Sequence, residues 1–360
     1  MPSNSFGTIF RLSTFGESHG EAIGGVLEGC PAGLHIDMDF INAELARRKP
    51  GQSDITTTRH ENDTVQFLSG IFEGKSTGTP IGFILKNQDT RSSDYTEVKD
   101  VFRPSHADYT YQVKFGHRDH RGGGRSSARE TACRVVAGAL AKLFLRHYHI
   151  QVHAFVKQVG TIILEKNFDE LNLKLTDKNK VRCPHQKTAA LMIGEIEKAR
   201  AEGDSLGGII QGVVLGLPPG LGEPVFDKLP AVMAHAMMSI NAVKGFEIGA
   251  GFSIASKKGS EVNDSFIPGK RDALKTSSNN SGGVLGGISN GMPFYFNLAF
   301  KPVSTIMKLQ KTVNIKGKSV DLLNKGRHDP CVLPRAVPVV ESMAALVIAD
   351  MLLLARTSRL

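Results

Sequence analysis

The sequence predicts an α/β or α+β fold that forms one large domain over residues 1–360, and two observations lead to this prediction. Segments with the apolar pattern of strands alternate along the whole chain with segments that have the apolar spacing of helices. Glycine-rich turns recur at 20–25, 122–124, 207–208 and 282–287, and no low-complexity linker or short repeat separates them. Both observations indicate one integrated fold rather than a series of independent modules.

The predicted elements follow from apolar periodicity and from turn residues. Strands are expected at 6–15, 22–28, 65–71, 80–85, 150–156, 160–164, 208–216, 246–255 and 293–300. Phe40 to Arg48 reads as a helix, with Asp37 or Asp39 as its N-cap and Pro50-Gly51 as its stop. Further helices are expected from the capping residue Ser127 to Leu143 and at 189–201, 230–240 and 339–354. The last of these is so apolar that it must lie buried or at a subunit contact.

Composition limits the class of protein. An apolar content of 41% with 22% charged residues is typical of a soluble protein with a core. Lys and Arg outnumber Asp and Glu by 44 to 35, which is too small an excess for a nucleic-acid wrapper and fits a small acidic ligand. The chain has no Trp, and no basic run is interleaved with aromatic residues, so no nucleic-acid partner is expected.

Cysteine spacing and the terminus indicate the compartment. Cys30, Cys133, Cys183 and Cys331 form no Cys-x-x-Cys pair, so neither a disulfide framework nor a zinc site is expected. The first residues lack a basic and an apolar signal region, and no run of 18 apolar residues predicts a membrane span. The prediction is a cytoplasmic protein with no membrane partner and no metal.

The segment 121–131 is the most informative part of the chain. Three glycines lead into Ser127-Ala128-Arg129-Glu130, which has the Ser-x-x-Glu form of a helix capping box. Free backbone N–H groups and a positive dipole would point out of the helix start. Phosphate and carboxylate groups bind at such ends. Arg121, Arg125, Arg129 and Arg134 favour an anion site over an ordinary capped helix.

Three further turns carry residues suited to proton transfer. His19 lies between glycines at 16–20, where a ligand can approach closely, and an ordinary histidine titrates near pH 6.5. The turn 103–108 adds an arginine and His106, and the turn 326–331 holds Asp329 next to Arg327, which would favour its ionised form. A surface turn or a salt-bridged loop remains the alternative for each one taken alone.

Several common chemistries are excluded by missing motifs. No Gly-x-Gly-x-x-Gly follows a strand, no complete P-loop is present, and no Gly-x-Ser-x-Gly elbow occurs. The histidines do not have the His-Glu-x-x-His spacing of a zinc protease. What remains suits elimination of a proton or phosphate from a polyanionic small molecule, helped by a phosphate-bearing cofactor.

These segments together resemble the chorismate synthase family. The resemblance rests on 16–20, on the run 100–110, on 122–131 and on 327–331, in this order, and extends from about Phe6 to Leu354. It implies a single domain with a β-α-β sandwich fold and a homotetrameric assembly. It also implies a lyase that ends the shikimate pathway in the cytoplasm, by an anti-1,4-elimination of phosphate from 5-enolpyruvylshikimate 3-phosphate. The cofactor would be reduced FMN, with no net redox change.

The resemblance also assigns roles to residues. His19 would protonate the departing phosphate, His106 would stabilise the reduced flavin, and Asp329 would take the proton from flavin N5. The implied FMN contacts are Arg125, Ser126, Ser127, Asn241, Ala242, Gly286, Lys301, Pro302, Val303, Ser304, Thr305 and Arg327. The implied substrate contacts are Arg48, Arg103, Arg129 and Arg327, whose planar forks suit oxyanions.

One position departs from the family pattern. The family has a proposed nicotinamide-nucleotide (NADP) site at Arg48 and at a second, often basic position, which here is Asp54. A carboxylate would repel a phosphate there, so reduced FMN is expected to arrive from outside. Two other interpretations stay open on the sequence alone. One is a redox flavoprotein that passes hydride to a substrate, and the other is a basic RNA-binding module that uses the Arg-Gly-Gly-Gly-Arg stretch.

Overall fold

The structure, a computed structural model, describes residues 4–52, 55, 63–87, 98–269, 274–323 and 329–358. Its strands are β1 (Ser5–Phe6), β2 (Arg11–Gly16), β3 (Ala22–Glu28), β4 (Val65–Phe67), β5 (Ile71–Phe72), β6 (Lys75–Ser76), β7 (Ile81–Lys86), β8 (Gln151–Val159), β9 (Ile162–Ile163), β10 (Gly208–Leu215), β11 (Val243–Ile248), β12 (Phe266–Pro268), β13 (Leu274–Thr276), β14 (Val284–Leu285), β15 (Ile288–Ser289), β16 (Phe294–Phe300), β17 (Gln310–Val313) and β18 (Ser319–Leu322). Its helices are α1 (Met38–Arg48), α2 (Asp108–Phe115), α3 (Thr131–Arg146), α4 (Gln186–Ala201), α5 (Leu229–Met238), α6 (Gly259–Val262) and α7 (Leu333–Ala355).

Two five-stranded sheets form the outer layers of the fold. The first has the order β1-β2-β3-β7-β4 and the second the order β11-β16-β10-β8-β9, and the pairs are antiparallel. Alternate side chains of the central strands are buried, as in Ile81, Phe83 and Leu85 of β7. This period of two is what an antiparallel sheet with one face on the core requires.

Helices α3 and α7 form the middle layer. Helix α3 packs on β2, β3 and β7 of the first sheet and on α7, while α7 packs on β8 and β10 of the second sheet. Buried side chains from both sheets and from these helices form one continuous apolar cluster, which runs from Phe10 to Leu352. The arrangement confirms the predicted α+β class and has the layer order sheet, helices, sheet.

Helix α7 is long and apolar enough to cross a membrane by length and composition alone. Of its most apolar window, 89% is buried inside the protein. The helix is therefore the core helix of the sandwich, as the sequence predicted for 339–354. It begins six residues earlier than predicted, because Pro334 is accepted in the first turn of a helix.

A proline inside α7 is compensated by an arginine. Pro338 has no N–H to donate to the carbonyl four residues before it, that of Pro334. Arg182 Nη1 donates to this carbonyl at 2.7 Å. Arg182 itself is buried, which is the main reason why its pKa falls to about 10. The guanidinium thus satisfies a backbone group that would otherwise be unpaired in the core.

The four cysteines are all buried and free. Burial raises the pKa of Cys30 to about 11 and the pKa values of Cys133 and Cys331 to about 12, and it also raises the pKa of Cys183. All four side chains therefore remain thiols near neutral pH. They act as small apolar groups in the core.

Most predicted elements are present, with several differences. The predicted strand 6–15 is divided into β1 and β2, the predicted strand 65–71 is divided into β4 and β5, and the short elements β6, β12 to β15, β17, β18 and α6 were not predicted. The predicted strand 246–255 ends at Ile248, and a 3-10 turn follows at Gly251–Ser256. Gly249 and Gly251 have φ values of 60° and 56°, which break the extended backbone. Helix α2 was not predicted, because Asp108 is its only buried residue and it has no apolar face.

Candidate active site

A cleft of about 320 Å³ opens between the turn that holds His106 and the glycine loop. We define the glycine loop as residues 121–127. Its backbone forms one wall of the cleft, and the aromatic rings of Tyr111 and Phe115 on α2 form part of another. The remaining lining residues are Glu17, Gly20, His106, Ala107, Asp108, His117, Arg118 and Asp119. The cleft therefore combines apolar surface with charged side chains of both signs, and one of its walls is backbone.

Gly122 brings the His19 turn against the glycine loop. Its φ is +84°, and a Cβ at this position would lie 2.6 Å from His19 Cδ2 and 3.2 Å from Ser18 Oγ. Both conditions favour glycine, because an L side chain would be strained and would collide with the histidine ring. Both ring nitrogens of His19 are buried. The turn at 16–20 therefore packs on this loop.

The predicted capping box does not form. Ser127 caps a 3-10 turn at Ala128–Glu130, where its Oγ accepts from the N–H of Arg129 at 3.3 Å. Glu130 turns away and accepts from Arg134 Nε at 3.0 Å instead of bonding back to Ser127. Helix α3 begins only at Thr131. The ion pair between Glu130 and Arg134, one helical turn apart, replaces the predicted capping interaction.

His106 lies in a turn organised by Asp108. The imidazole Nδ1 is 3.1 Å from Asp108 Oδ1, and Arg103 donates from Nε and Nη2 to the same carboxylate, each at 2.8 Å. A second fork, that of Arg118, lies 2.9 Å from Asp108 Oδ1. Burial alone would raise the pKa of Asp108, but the hydrogen bonds from Arg103 and His106 outweigh it and hold the pKa far below its ordinary value. The carboxylate is therefore ionised.

Arg103 also connects this turn to the glycine loop. Its Nη2 donates to the carbonyl of Gly122 at 3.1 Å. Lys301 donates from Nζ to the carbonyl of Ser105 at 3.0 Å, and the φ of Ser105 is +55°. Contacts from two sides thus hold a backbone conformation that a serine seldom adopts.

A second cluster lies behind the glycine loop, around Asp63. Arg48 donates from Nη2 to Asp63 Oδ2 at 2.6 Å, and Arg129 pairs with the other oxygen. All three side chains are buried. Burial would raise the pKa of Asp63, but the charges of Arg48 and Arg129 outweigh it and hold the pKa below its ordinary value. Burial, followed by the nearby Arg335 and Arg129, lowers the pKa of Arg48.

Asp329 belongs to this second cluster. It forms an ion pair with Arg335, and Arg335 Nε donates to the carbonyl of Arg48 at 3.3 Å. In this cluster three guanidiniums, those of Arg48, Arg129 and Arg335, pair with only two carboxylates, those of Asp63 and Asp329. Among the described residues the cluster thus carries one more cation than anions. A buried excess of one positive charge favours an anionic ligand nearby.

The predicted flavin contacts at the loop are joined by hydrogen bonds. Arg125 donates to the carbonyl of Gly16 at 3.1 Å and to Thr14 Oγ1 at 2.7 Å. Ser126 Oγ donates to the carbonyl of Gly123 at 2.6 Å, and Asn241 Nδ2 donates to the carbonyl of Ser126 at 2.8 Å. The structure therefore brings Arg125, Ser126 and Asn241 together with Ser127.

The remaining predicted flavin contacts divide into two groups. Ala242, with φ of +69°, accepts from the N–H of Lys301 and so lies next to the 301–305 segment, which holds Pro302, Val303, Ser304 and Thr305. Gly286 lies in the turn between β14 and β15, next to Gly287, whose carbonyl accepts from the N–H of Leu229 at the start of α5. Gly286 is thus near the start of α5, whereas Asn241 follows the end of this helix. Within a single chain, Gly286 therefore lies apart from the other predicted flavin contacts. Arg327 and Asp54 lie outside the described residues.

Of the three predicted catalytic residues, only His106 lines the cleft itself. His19 packs against the loop at Gly122, and Asp329 is connected through Arg335 to Arg48, whose Nη1 donates to the carbonyl of Ala128 at 3.1 Å. The three therefore surround the glycine loop and its helix start from different sides. Within the described part of the chain, no group of three or more His, Cys, Asp or Glu side chains could hold a metal ion.

Four residues of the site were not identified as site residues from the sequence: Asp63, Asp108, Arg118 and Arg335. Three of them pair with a predicted residue, and Arg118 pairs with Asp108. Asp108 follows His106 by two positions and Arg335 follows Asp329 by six, spacings that could have suggested a contact. Asp63 meets Arg129 across 66 positions and leaves no local signal.

Comparisons with known proteins show the family of the chain. The family model described as chorismate synthase matches residues 10–353. A chorismate synthase of Christiangramia forsetii is 59% identical over 360 residues and covers 100% of both chains. One of Parabacteroides distasonis is 58% identical over 354 residues, which is 98% of this chain and 99% of the relative.

A solved structure gives the same result for the fold. It is described as a crystal structure of chorismate synthase, with a TM-score of 0.77 and 32% sequence identity. The match covers 96% of this chain and 92% of the solved chain. Sequence and fold agree over almost the whole length, and this chain belongs to the chorismate synthase family.

Proposed function

We propose that this chain catalyses the anti-1,4-elimination of phosphate from 5-enolpyruvylshikimate 3-phosphate, which yields chorismate as the last step of the shikimate pathway. The reaction breaks the C3–O bond to phosphate and a C6–H bond, and the electron pair forms the new ring double bond. The family match favours this carbon–oxygen lyase over the redox flavoprotein and the RNA-binding module.

One observation carries the proposal: Gly122 connects the turns that hold His19 and His106. The His19 ring packs against it, and its carbonyl accepts from Arg103, whose partner Asp108 also holds His106. The glycine loop therefore lies between two histidine turns and an arginine fork. An acid and a charge-stabilising group on either side of one loop suit the loss of an anionic leaving group.

The charge of the site supports a polyanionic substrate. Arg48, Arg103 and Arg129 are proposed to hold its phosphate and carboxylates, together with Arg327. All three described arginines already contact carboxylates of the chain, so the substrate would bind at their remaining N–H groups. One of these groups, Nε of Arg48, is buried without a hydrogen-bond partner among the described residues. Together with the excess cation near Asp63, it supplies a donor for an oxyanion.

The chain's residues also fit reduced FMN at the glycine loop. Asn241 Oδ1 is buried and has no hydrogen-bond partner among the described residues, which leaves an acceptor for a flavin N–H. Gly122, Gly123 and Gly124 let a flat ring approach backbone. The contacts proposed to hold the cofactor are Arg125, Ser126, Ser127, Asn241, Ala242, Gly286, the 301–305 segment and Arg327. When bound, reduced FMN supplies an electron-rich ring that assists C–O cleavage and is not consumed.

The proton-transfer roles belong to three side chains. His19 is proposed to donate a proton to the departing phosphate, because phosphate leaves poorly as a dianion. Asp329 is proposed to accept a proton at its carboxylate, and its ion pair with Arg335 holds that carboxylate in place. His106, at the cleft wall, is proposed to stabilise negative charge next to it. Groups placed in this way contribute about 10²–10⁴ in rate.

We also propose that the chain folds as one domain, acts in the cytoplasm and assembles as a homotetramer. The continuous core supports the single domain. Large apolar side chains on the surface support self-association, as Phe226 and Phe252 are 88% and 81% exposed. Light scattering at several protein concentrations measures the assembly, and a single calorimetric transition is expected for one domain.

The central experiment is phosphate release without oxygen. The chain is mixed with 5-enolpyruvylshikimate 3-phosphate and dithionite-reduced FMN, and phosphate and chorismate are measured over many turnovers. Flavin absorbance should show that FMN stays reduced. Stoichiometric oxidation of the flavin would instead identify an oxidoreductase. NADPH with oxidised FMN should give no turnover, because no flavin reductase activity is proposed for this chain.

The role of His19 is tested by His19→Ala. We expect turnover to fall at least tenfold while FMN still binds, because the imidazole supplies a proton and the loop supplies the binding groups. Unchanged turnover would remove His19 from the mechanism. Asp329→Asn should likewise lower kcat more than it raises KM, and a pure loss of affinity would contradict the proton-transfer role.

A further inference from the structure

Asp108 is a buried carboxylate beside His106 that has no role in the function proposed above. It is the first residue of α2 and is buried to 3% exposure, whereas the His106 side chain keeps 22% of its surface exposed in the cleft wall. A small ligand in the cleft can therefore contact the imidazole, while the Asp108 side chain, although at the cleft wall, is almost completely covered by the groups that it holds. Any effect of Asp108 on the chemistry must pass through the groups that it holds.

The carboxylate holds three side chains and one backbone group at once. Oδ1 faces His106 Nδ1 at 3.1 Å, Arg103 Nη2 at 2.8 Å and Arg118 at 2.9 Å. Oδ2 accepts from Arg103 Nε at 2.8 Å and from the backbone N–H of Arg103 at 3.1 Å. The last bond closes the turn, so Asp108 fixes the backbone of His106 as well as its ring.

The charge state of this carboxylate decides which ring nitrogen carries the proton. The hydrogen bonds from Arg103, with its charge, help to hold the pKa of Asp108 far below its ordinary value, and an ionised carboxylate can only accept hydrogen bonds. His106 Nδ1 must therefore carry the hydrogen of the 3.1 Å contact. In the neutral ring Nε2 is then the bare nitrogen, and a proton taken up there gives the imidazolium that can stabilise negative charge in the cleft.

Arg103 and Arg118 also limit what Asp108 does. Their two positive charges more than balance the single carboxylate, so the group presents no free negative charge to the cleft. Its effect on His106 is to orient the ring and to select the tautomer. This is how a buried carboxylate holds the histidine of a catalytic triad.

We propose that Asp108 is the positioning residue of His106, and that it fixes the ring with Nδ1 protonated and Nε2 available to the cleft. The proposal deepens the function proposed above and rests on it for its effect on turnover. Its structural part concerns the ligand-free chain. Asp108 contacts neither substrate nor cofactor in this role, and acts through the imidazole alone.

The first test uses 15N spectra of histidine-labelled, ligand-free protein at about two pH units above the ordinary histidine pKa of about 6.5. The His106 signals are those missing in His106→Ala. We expect a protonated Nδ1 and a bare Nε2 in the wild type, and a shift toward protonated Nε2 in Asp108→Asn. A wild-type ring protonated at Nε2 would overturn the proposal, and this measurement does not depend on the Asp108 variant folding.

The second test is a double-mutant cycle in turnover. Asp108→Asn should lower kcat by roughly 10–100-fold, since small misplacements of a reacting group have effects of this size, with KM changed less than about threefold. The double variant Asp108→Asn/His106→Ala should be no slower than His106→Ala alone. If the two losses multiply in the double variant, Asp108 acts independently of His106 and the proposal is wrong.

Asp350→Asn is the matched control for a buried carboxylate with a purely structural role. Asp350 accepts from the N–H groups of Thr8, Ile9 and Phe10 and holds the N-terminal segment on α7. We expect a lower melting temperature with kcat unchanged. A loss of kcat equal to that of Asp108→Asn would overturn the positioning role. A wild-type chain without turnover would overturn the proposed function instead, while the spectra would still decide the tautomer.

Discussion

The arginines before and at the start of α3 have different partners although they are close in the sequence. Arg121 pairs with Asp119 at the surface, Arg129 pairs with the buried Asp63, and Arg134 pairs with Glu130. Arg125 holds backbone and hydroxyl groups of β2. Four positive side chains in one segment therefore do not add up to four free charges. The net charge near the site depends on partners that come from other segments.

Gly122→Ala tests the contact between the glycine loop and His19. The new methyl group would lie 2.6 Å from His19 Cδ2, so the ring must move, and we expect turnover to fall at least tenfold. Gly74→Ala is the matched control, because Gly74 has a similar φ of +73° but no atom within 4 Å of its Cβ position. Both variants should lose about 1–2 kcal/mol of stability from the strained backbone.

Turnover and melting temperature are measured for both glycine variants. Only Gly122→Ala should lose activity, whereas the stability losses should be similar. Equal turnover in the two variants would show that the position of the His19 ring does not depend on Gly122.

For single residues, the sequence indicated which side chains belong to the site better than it indicated which side chains contact each other. His19, His106 and the arginines were identified because histidines and arginines stand next to glycine and proline in polar turns. The partners were missed because Asp63 meets Arg48 and Arg129 only in the folded chain. Likewise Arg335 in α7 pairs with Asp329, a contact that the sequence did not indicate, whereas the predicted neighbour Arg327 lies outside the described residues.

Helices and strands were predicted best where their buried residues repeat with a single helical or strand period. Helix α1 has its N-cap at Asp37, which accepts from the N–H of Phe40 at 2.9 Å, and both residues were part of the prediction. Helix α2 was missed because its position is fixed by Asp108 rather than by an apolar stripe. The start of α3 was placed too early, because Glu130 prefers Arg134 to the backbone of Ser127.

The crossing of α3 and α7 gives a prediction for packing. A Cβ at Gly138 would lie 2.2 Å from Ser342 Cβ and 2.5 Å from Ser342 Cα, so the two helix backbones are in close contact. Gly138→Ala should therefore destabilise the protein by about 1–3 kcal/mol through overpacking. Gly194→Ala in α4 meets no atom within 4 Å and should instead stabilise by about 0.5–1 kcal/mol.

Chemical denaturation of both helix variants measures the difference. The two variants should change the free energy of unfolding in opposite directions. Since the substitution is the same and both positions are helical, the difference reports the contact between α3 and α7. A Gly138→Ala variant as stable as Gly194→Ala would show that α3 and α7 can separate at no cost.

The whole molecule should lose stability in acid, partly through Glu341. This buried carboxylate accepts from Arg47 and Lys142, each at 2.6 Å, and from the N–H of Ala154 at 3.1 Å. Burial would raise its pKa, but the charges of Arg47 and Lys142 outweigh it and hold the pKa well below the ordinary value of 4.5. A lowered folded-state pKa means that the stabilisation is complete above this ordinary value and is lost as the pH falls below it.

We therefore expect the free energy of unfolding to decrease as the pH falls below about 4.5, the ordinary glutamate value. In Glu341→Gln this decrease should be shallower, and the variant should be about 3–5 kcal/mol less stable at pH 7, because two cations lose a buried partner. Glu197→Gln, at an exposed position of α4, should change stability by less than about 0.5 kcal/mol. Parallel pH dependences of Glu341→Gln and the wild type would contradict this role of Glu341.

The four sequestered cysteines have a practical consequence. Each marks a different region: Cys30 follows β3, Cys133 lies in α3, Cys183 precedes α4 and Cys331 precedes α7. Only a thiolate that meets solvent reacts with iodoacetamide, so the native chain should resist alkylation at neutral pH. Mass spectrometry of the labelled peptides over time would then record how often each region opens. Equal labelling rates at all four sites would indicate global unfolding, and a faster site would identify the part of the sandwich that separates first.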